Sequence, residues 1–168
     1  MISEKLFNAL NEQINYEFES AHIYLAMAAY CADQDLDGFA NFFIVQAEEE
    51  RFHAMKFYNF VNEMGGRVTL RALTGPINDF ESLLDVFETA LKHEKSVTKR
   101  IYNLMDIANE EKEYATGSVL RWFIDEQVEE EATMTGIIKK LQRLKDNSHG
   151  IFMLDSEMSQ RTFTPPTE

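Results

Sequence analysis

The chain has 168 residues, of which 45% are apolar and 27% charged, the make-up of one globular domain rather than of a disordered segment. Against 16 Lys and Arg stand 29 Asp and Glu, for a net charge of −13, which argues against wrapping nucleic acid or lying on an anionic membrane. The same balance suits a protein that handles cations. A lone Cys31 excludes an internal disulfide and fits a reducing compartment. No run of about 18 apolar residues occurs, and Met1-Ile2-Ser3-Glu4-Lys5 does not begin a secretory signal. A soluble cytoplasmic protein is the expectation.

Only 7 Gly and 3 Pro interrupt the chain, and they cluster, leaving long stretches free to be helical. The first predicted helix covers about 3–32, with Ser3 as N-cap, and ends at the turn Asp33-Gln34-Asp35-Leu36-Asp37-Gly38. The second covers about 39–64 and stops at Gly65-Gly66. Val68-Thr69-Leu70 then reads as extended and Gly75-Pro76 as a turn. The third and fourth helices cover about 81–108 and 114–144. Asn147-Ser148-His149-Gly150 reads as a break, followed by a short helix over 151–160. One domain over 1–161 and a polar tail over 162–168 are expected.

The first and third connections are about five residues long, so each joins antiparallel neighbours. The middle one has about 16 residues and reaches ~50 Å extended, more than the ~40 Å length of a 27-residue helix. Helices two and three are therefore parallel. The fold class is all-α: a four-helix bundle with one long crossover between helices two and three and a short fifth helix.

A bundle buries a seam spaced alternately three and four residues. Helix one gives Leu10, Ile14, Glu17, Ala21, Tyr24 and Ala28; helix two gives Phe39, Phe43, Gln46, Glu50, His53, Phe57, Phe60 and Met64. Helix three gives Leu84, Phe87, Leu91, Glu94, Thr98, Ile101, Met105 and Ala108. Helix four gives Leu120, Phe123, Gln127, Glu130, Met134, Ile137, Leu141 and Leu144. Each seam is apolar at both ends and polar near its middle, and mid-helix positions meet at one level whichever way the helices run. Buried carboxylates cost several kcal/mol each in effective terms, and like charges worsen it. No Lys or Arg sits at that seam level. Two divalent cations would balance Glu17, Glu50, Glu94 and Glu130, and Glu50-x-x-His53 adds a nitrogen donor that suits a transition metal; iron is the redox-active choice, while zinc or manganese would also bind such ligands.

Glu17 with Tyr24, Glu50-x-x-His53, Glu94 and Gln127-x-x-Glu130 resemble the bacterial non-haem ferritins. So do the runs Trp122-Phe123-Ile124-Asp125-Glu126-Gln127-Val128-Glu129-Glu130-Glu131 and Leu10-Asn11-Glu12-Gln13-Ile14-Asn15. The resemblance extends to about Arg161 and implies a ferritin-like bundle. Its implied function is that of a ferroxidase, which oxidises Fe²⁺ with O₂ or peroxide and stores ferric mineral in a hollow homo-oligomeric shell of 24 subunits. Carried over, Glu17, Glu50 and His53 are ligands of a first iron; Glu50 bridges to a second, completed by Glu94 and Glu130. Gln127 corresponds to the residue beside the pair that holds water or dioxygen, and Tyr24 to a tyrosine hydrogen-bonded next to it. Glu49, Glu126 and Glu129 match a third, outer iron position that shares Glu130 in some members. Haem-containing relatives place a second Glu-x-x-His on helix four and a haem-ligating Met after the bridging Glu. Here Gln127-x-x-Glu130 and Arg51 stand instead, so no haem is expected.

Overall fold

The computed structural model describes residues 2–145 and 147–166. Five helices follow in order: α1 Glu4–Asp33, α2 Asp37–Glu63, α3 Leu83–Glu110, α4 Tyr114–Leu144 and α5 Ser148–Met158. Among the described residues no helix is long and apolar enough to cross a membrane. Ser3 and Ser82 cap α1 and α3 by accepting from the amides of Leu6 and Asp85, satisfying donors the first turn leaves free. Gly65, at φ 77°, closes α2 in the left-handed conformation, and the Gly66 amide returns to the Val61 carbonyl at 2.9 Å.

Helices α1 and α2 pack as one hairpin and α3 and α4 as another. The hairpins meet antiparallel: Ser3 reaches Glu111 at 2.7 Å, Tyr16 reaches Ser96 at 3.0 Å and Ser20 lies 2.8 Å from His93. Across α2 and α4, Phe57 stacks on Phe123 with centroids 3.9 Å apart. The crossover, 64–82, climbs the outside of α1 from Gly66 against Phe7 to Phe80 against Tyr30, so α2 and α3 run parallel. The extended reading of Val68-Thr69-Leu70 has a visible cause. The Asn15 amide donates to the Thr69 carbonyl at 2.9 Å, and the amides of Thr69 and Arg71 donate to Asn11 and Asn15 at 2.7 and 2.9 Å. Two asparagines one helical turn apart thus act as a strand edge for the crossover.

Three helix starts differ from expectation, α3 beginning at Leu83 rather than 81 because Ser82 is its N-cap. The break foreseen at 147–150 is the first turn of α5, because Asn147 caps it by accepting from the Gly150 amide. Helix α2 starts at Asp37 rather than 39, since Asp155 of α5 accepts from the Phe39 amide at 3.0 Å. That contact needs Gly38: a Cβ there would lie 1.7 Å from the Asp155 carbonyl oxygen. Gly38→Ala should therefore push α5 off α2 and lower stability by about 2 kcal/mol through overpacking, measured as the thermal midpoint. Beyond α5 the chain turns back along α2 through Asn41, which donates to the carbonyls of Met158, Ser159 and Arg161. Of the expected tail, residues 167 and 168 lie outside the described residues.

The core is divided. One apolar cluster holds Met27, Cys31, Phe39, Phe43, Phe87 and Leu141; the other holds Leu6, Leu10, Phe57, Ile101, Leu120 and Phe123. Between them lies a buried polar layer: Gln13, Glu17, Gln46, Glu50, His53, Glu94, Gln127 and Glu130.

Candidate metal centre

Each of the four long helices, α1 to α4, delivers one carboxylate to this layer. The flanking Phe, Leu and Met residues choose which face turns inward, and the Glu on that face must follow. Glu17, Glu50 and Glu94 are at most 1% exposed and Glu130 7%. Glu17, Glu50 and His53 each present one atom within 4.8 Å of the others'. His53 Nδ1 lies 3.6 Å from Glu50 Oε2, as residues three apart on a helix can. Glu94 and Glu130 do not fall in that tight triad: one amide ties Glu130 to Glu50, while Glu94 is held apart by Gln127 and Tyr24. Gln46 Nε2 donates to Glu130 at 2.8 Å and to Glu50 at 3.3 Å. Gln127 Nε2 donates to Glu94 Oε2 at 3.0 Å, and the Tyr24 hydroxyl donates to Glu94 Oε1.

Burial, the largest cause in every case, pushes all four carboxyl groups above the usual range. The charge of Glu50 raises Glu17 further, and Glu94 raises both Glu50 and Glu130. Hydrogen bonds from Tyr24 and Gln127 partly offset this for Glu94. Burial, then the charge of Glu94, raises the Tyr24 phenol, so it stays protonated and donates. Two oxygens, Glu17 Oε2 and Glu50 Oε2, are buried without a hydrogen-bond partner among the described residues. Such orphans carry the full desolvation penalty, and both belong to the residues that cluster tightest. Carboxylate oxygens with one imidazole nitrogen form a donor set that a first-row transition ion fits.

The outer acids are placed differently. Glu126 is part-buried, with Oε2 4.0 Å from His53 Nε2, and Glu129 is exposed. Glu49 is held by an ion pair to Arg161 at 2.5 Å. Sequence reasoning assigned no site role to Gln13, Gln46 or Arg161. Gln13 donates to Glu17 Oε1 at 2.8 Å. The signal was available: Gln13 and Gln46 each precede a seam glutamate by four residues, the spacing that lets an amide reach a carboxylate on one helix face.

A family model described as a ferritin-like domain matches residues 7–144. A bacterial non-heme ferritin of Staphylococcus aureus (strain MRSA252) is 49% identical over 163 residues, covering 97% of this chain and 98% of its own. The bacterial non-heme ferritin of Staphylococcus saprophyticus is 48% identical over 163 residues, with the same shares covered. Among solved structures, an open-pore ferritin of the archaeon Archaeoglobus fulgidus superposes with a TM-score of 0.96 at 46% identity. That superposition covers 96% of this chain and 100% of the archaeal one. With this layer of acids inside this bundle, and likeness along nearly its whole length, the chain belongs to the ferritin family.

Proposed function

We propose that the chain stores iron and oxidises it, with two Fe²⁺ taken as substrates at the buried layer of each subunit. The observation that carries this reading is the pair of orphaned oxygens on Glu17 and Glu50, among four buried carboxylates that pair with no Lys or Arg among the described residues. Glu17, Glu50 and His53 hold the first iron; Glu50 bridges to the second, which Glu94 and Glu130 complete. The first position has a nitrogen donor and the second only oxygens. The second ion therefore binds more weakly, as befits an ion that must leave. Two Fe²⁺ supply two electrons to O₂ or to H₂O₂, and hydrolysis of water on the ferric product releases protons.

Gln127 and Tyr24 hold Glu94 from two sides, fixing the carboxylate of the weaker position. Removing the hydroxyl in Tyr24→Phe costs one hydrogen bond to a charged group, about 1.5 kcal/mol. The expected result is roughly tenfold slower aerobic Fe²⁺ oxidation with an unchanged fold, read by stopped-flow absorbance and circular dichroism. Glu49, Glu126 and Glu129, with Glu130, make the outer position through which a third iron passes.

The product is a ferric oxyhydroxide core inside a shell of 24 copies, each contributing one domain over 1–161, in the cytoplasm. Phe152 and Met153 on α5 are 67% and 57% exposed in the single chain, and a shell would cover such apolar side chains. Neither haem, nucleic acid nor membrane enters the scheme; Arg51 stands where a haem-ligating Met would be needed. The test adds Fe²⁺ aerobically to the purified protein and follows ferric absorbance, particle mass and electron-dense cores by electron microscopy. Mineral-filled particles near half a megadalton are expected. Fe²⁺ oxidation no faster than in buffer, or a monomer without cores, would overturn the reading.

A further inference from the structure

Arg161 lies beyond the last helix, yet its side chain makes more directed contacts with α2 than any other residue of the final segment. Its Nη2 meets Glu49 Oε2 at 2.5 Å. Its Nη1 donates to Gln46 Oε1 at 2.8 Å and to the Phe42 carbonyl at 3.2 Å. The guanidinium also stacks over the Phe42 ring at 4.2 Å. Phe42, Gln46 and Glu49 lie on one stripe of α2, spaced by four and three residues. The chain beyond Arg161 continues along that stripe, where Phe163 packs edge-on against Phe52 at 5.6 Å.

Two consequences follow from donor chemistry. A guanidinium can only donate, so the end of the Gln46 amide that faces it must be the oxygen. The NH₂ end is then forced inward, where it donates to Glu130 at 2.8 Å and Glu50 at 3.3 Å. Arg161 is also a permanently charged cation seated on Glu49, a carboxylate of the outer acid group. Side-chain exposure of 21% for Arg161 and 18% for Glu49 makes this pair less screened than one in open solvent.

We propose that Arg161 is a positioning residue of the iron site, a tethered cation that occupies Glu49 and holds the Gln46 amide toward Glu50 and Glu130. A divalent ion can use Glu49 only by displacing the guanidinium, and doing so frees the Gln46 amide to turn its oxygen inward. The C-terminal segment thereby sets how readily cations pass between the buried layer and the outer acids. This inference rests on reading the acid layer as a cation site.

The test titrates the assembled protein anaerobically with Co²⁺, followed by calorimetry and by visible absorption of the bound ion. Replacing Arg161 by Gln should tighten the weakest class of Co²⁺ site at least tenfold. The double substitution Arg161→Gln with Glu49→Gln should abolish that gain, and Arg161→Lys, which keeps the charge, should restore most of the wild-type isotherm. A purely structural role for Arg161 would leave the Co²⁺ isotherm unmoved. Superimposable isotherms for wild type and Arg161→Gln, with both assembled and folded by circular dichroism, would overturn the inference. Wild-type protein that binds no Co²⁺ and oxidises no Fe²⁺ would instead sink the function proposed above.

Discussion

Glu50→Ala should abolish rapid Fe²⁺ oxidation while making the metal-free protein more stable. Glu50 is the one carboxylate assigned to both irons, so its loss removes a ligand from each position together. Aerobic oxidation should fall at least a hundredfold, which corresponds to about 2.7 kcal/mol of lost transition-state stabilisation. Stability moves the other way. Glu50 Oε2 is buried and unpartnered, and its charge raises the carboxyl of Glu17. Removing it eliminates a desolvated charge and relieves that neighbour. The methylenes deleted with it leave a small void that works against this gain. Glu50→Gln avoids the void, and at a pH high enough to ionise Glu50 its metal-free form should gain about 2 kcal/mol by the general behaviour of buried charges replaced with neutral groups. Stopped-flow absorbance gives the first quantity and calorimetry the second. Wild-type oxidation rates in Glu50→Ala would show that the bridge is assigned wrongly.

The second large effect is the dependence of stability on pH and on a divalent ion. Four carboxyl groups have pKa values raised in the folded state by burial. The folded chain therefore binds more protons than the unfolded one at every pH above the ordinary carboxyl value, until the raised values are passed. Stability must fall as pH rises through that window. One buried group works in the opposite sense: burial lowers His93 to about 4, so below its ordinary value of 6.5 the unfolded state takes up the extra proton. The clean interval begins above the ordinary histidine value, once the opposing contribution of His93 has faded, and ends where the raised carboxyl values are passed; across it the metal-free midpoint should drop with rising pH. Saturating Zn²⁺, which cannot be oxidised, should reverse the slope, since it competes with protons for the same oxygens. At a hundredfold excess over the dissociation constant each site adds about 2.7 kcal/mol. Calorimetry with and without Zn²⁺ checks both signs. A metal-free midpoint that rises across the interval would show that these carboxyl groups are not buried as described.

The polar layer could be read from the chain because the seams are written in large side chains. With Phe43, Phe57, Phe87 and Phe123 fixing the inward faces, Glu17, Glu50, Glu94 and Glu130 had nowhere else to go. What could not be read depends on partners far away in sequence. The start of α2 is set by Asp155, 116 residues later, and no local pattern announces such a cap. Asn147 resembles a helix breaker until its side chain is seen to close the first turn of α5. Arg161 sits in a stretch with no periodicity, so its contact with Glu49 becomes visible only once the path of the chain is known. Gln46 already stood on the seam of helix two, four residues from Glu50, without a role; Gln13 lay off the seam, where an amide on a helix is ordinarily a solvated side chain.

The asparagine ladder along α1 bears on how the chain assembles. Contacts within each hairpin are short-range and close quickly, whereas joining the hairpins must first draw the whole crossover, 64–82, across the length of the bundle. Asn11 and Asn15 can receive the crossover only after α1 has coiled enough to stack their amides on one side. The last segment to zip is thus guided by a template already built, and an error of one residue in its seating would leave those amides without mates.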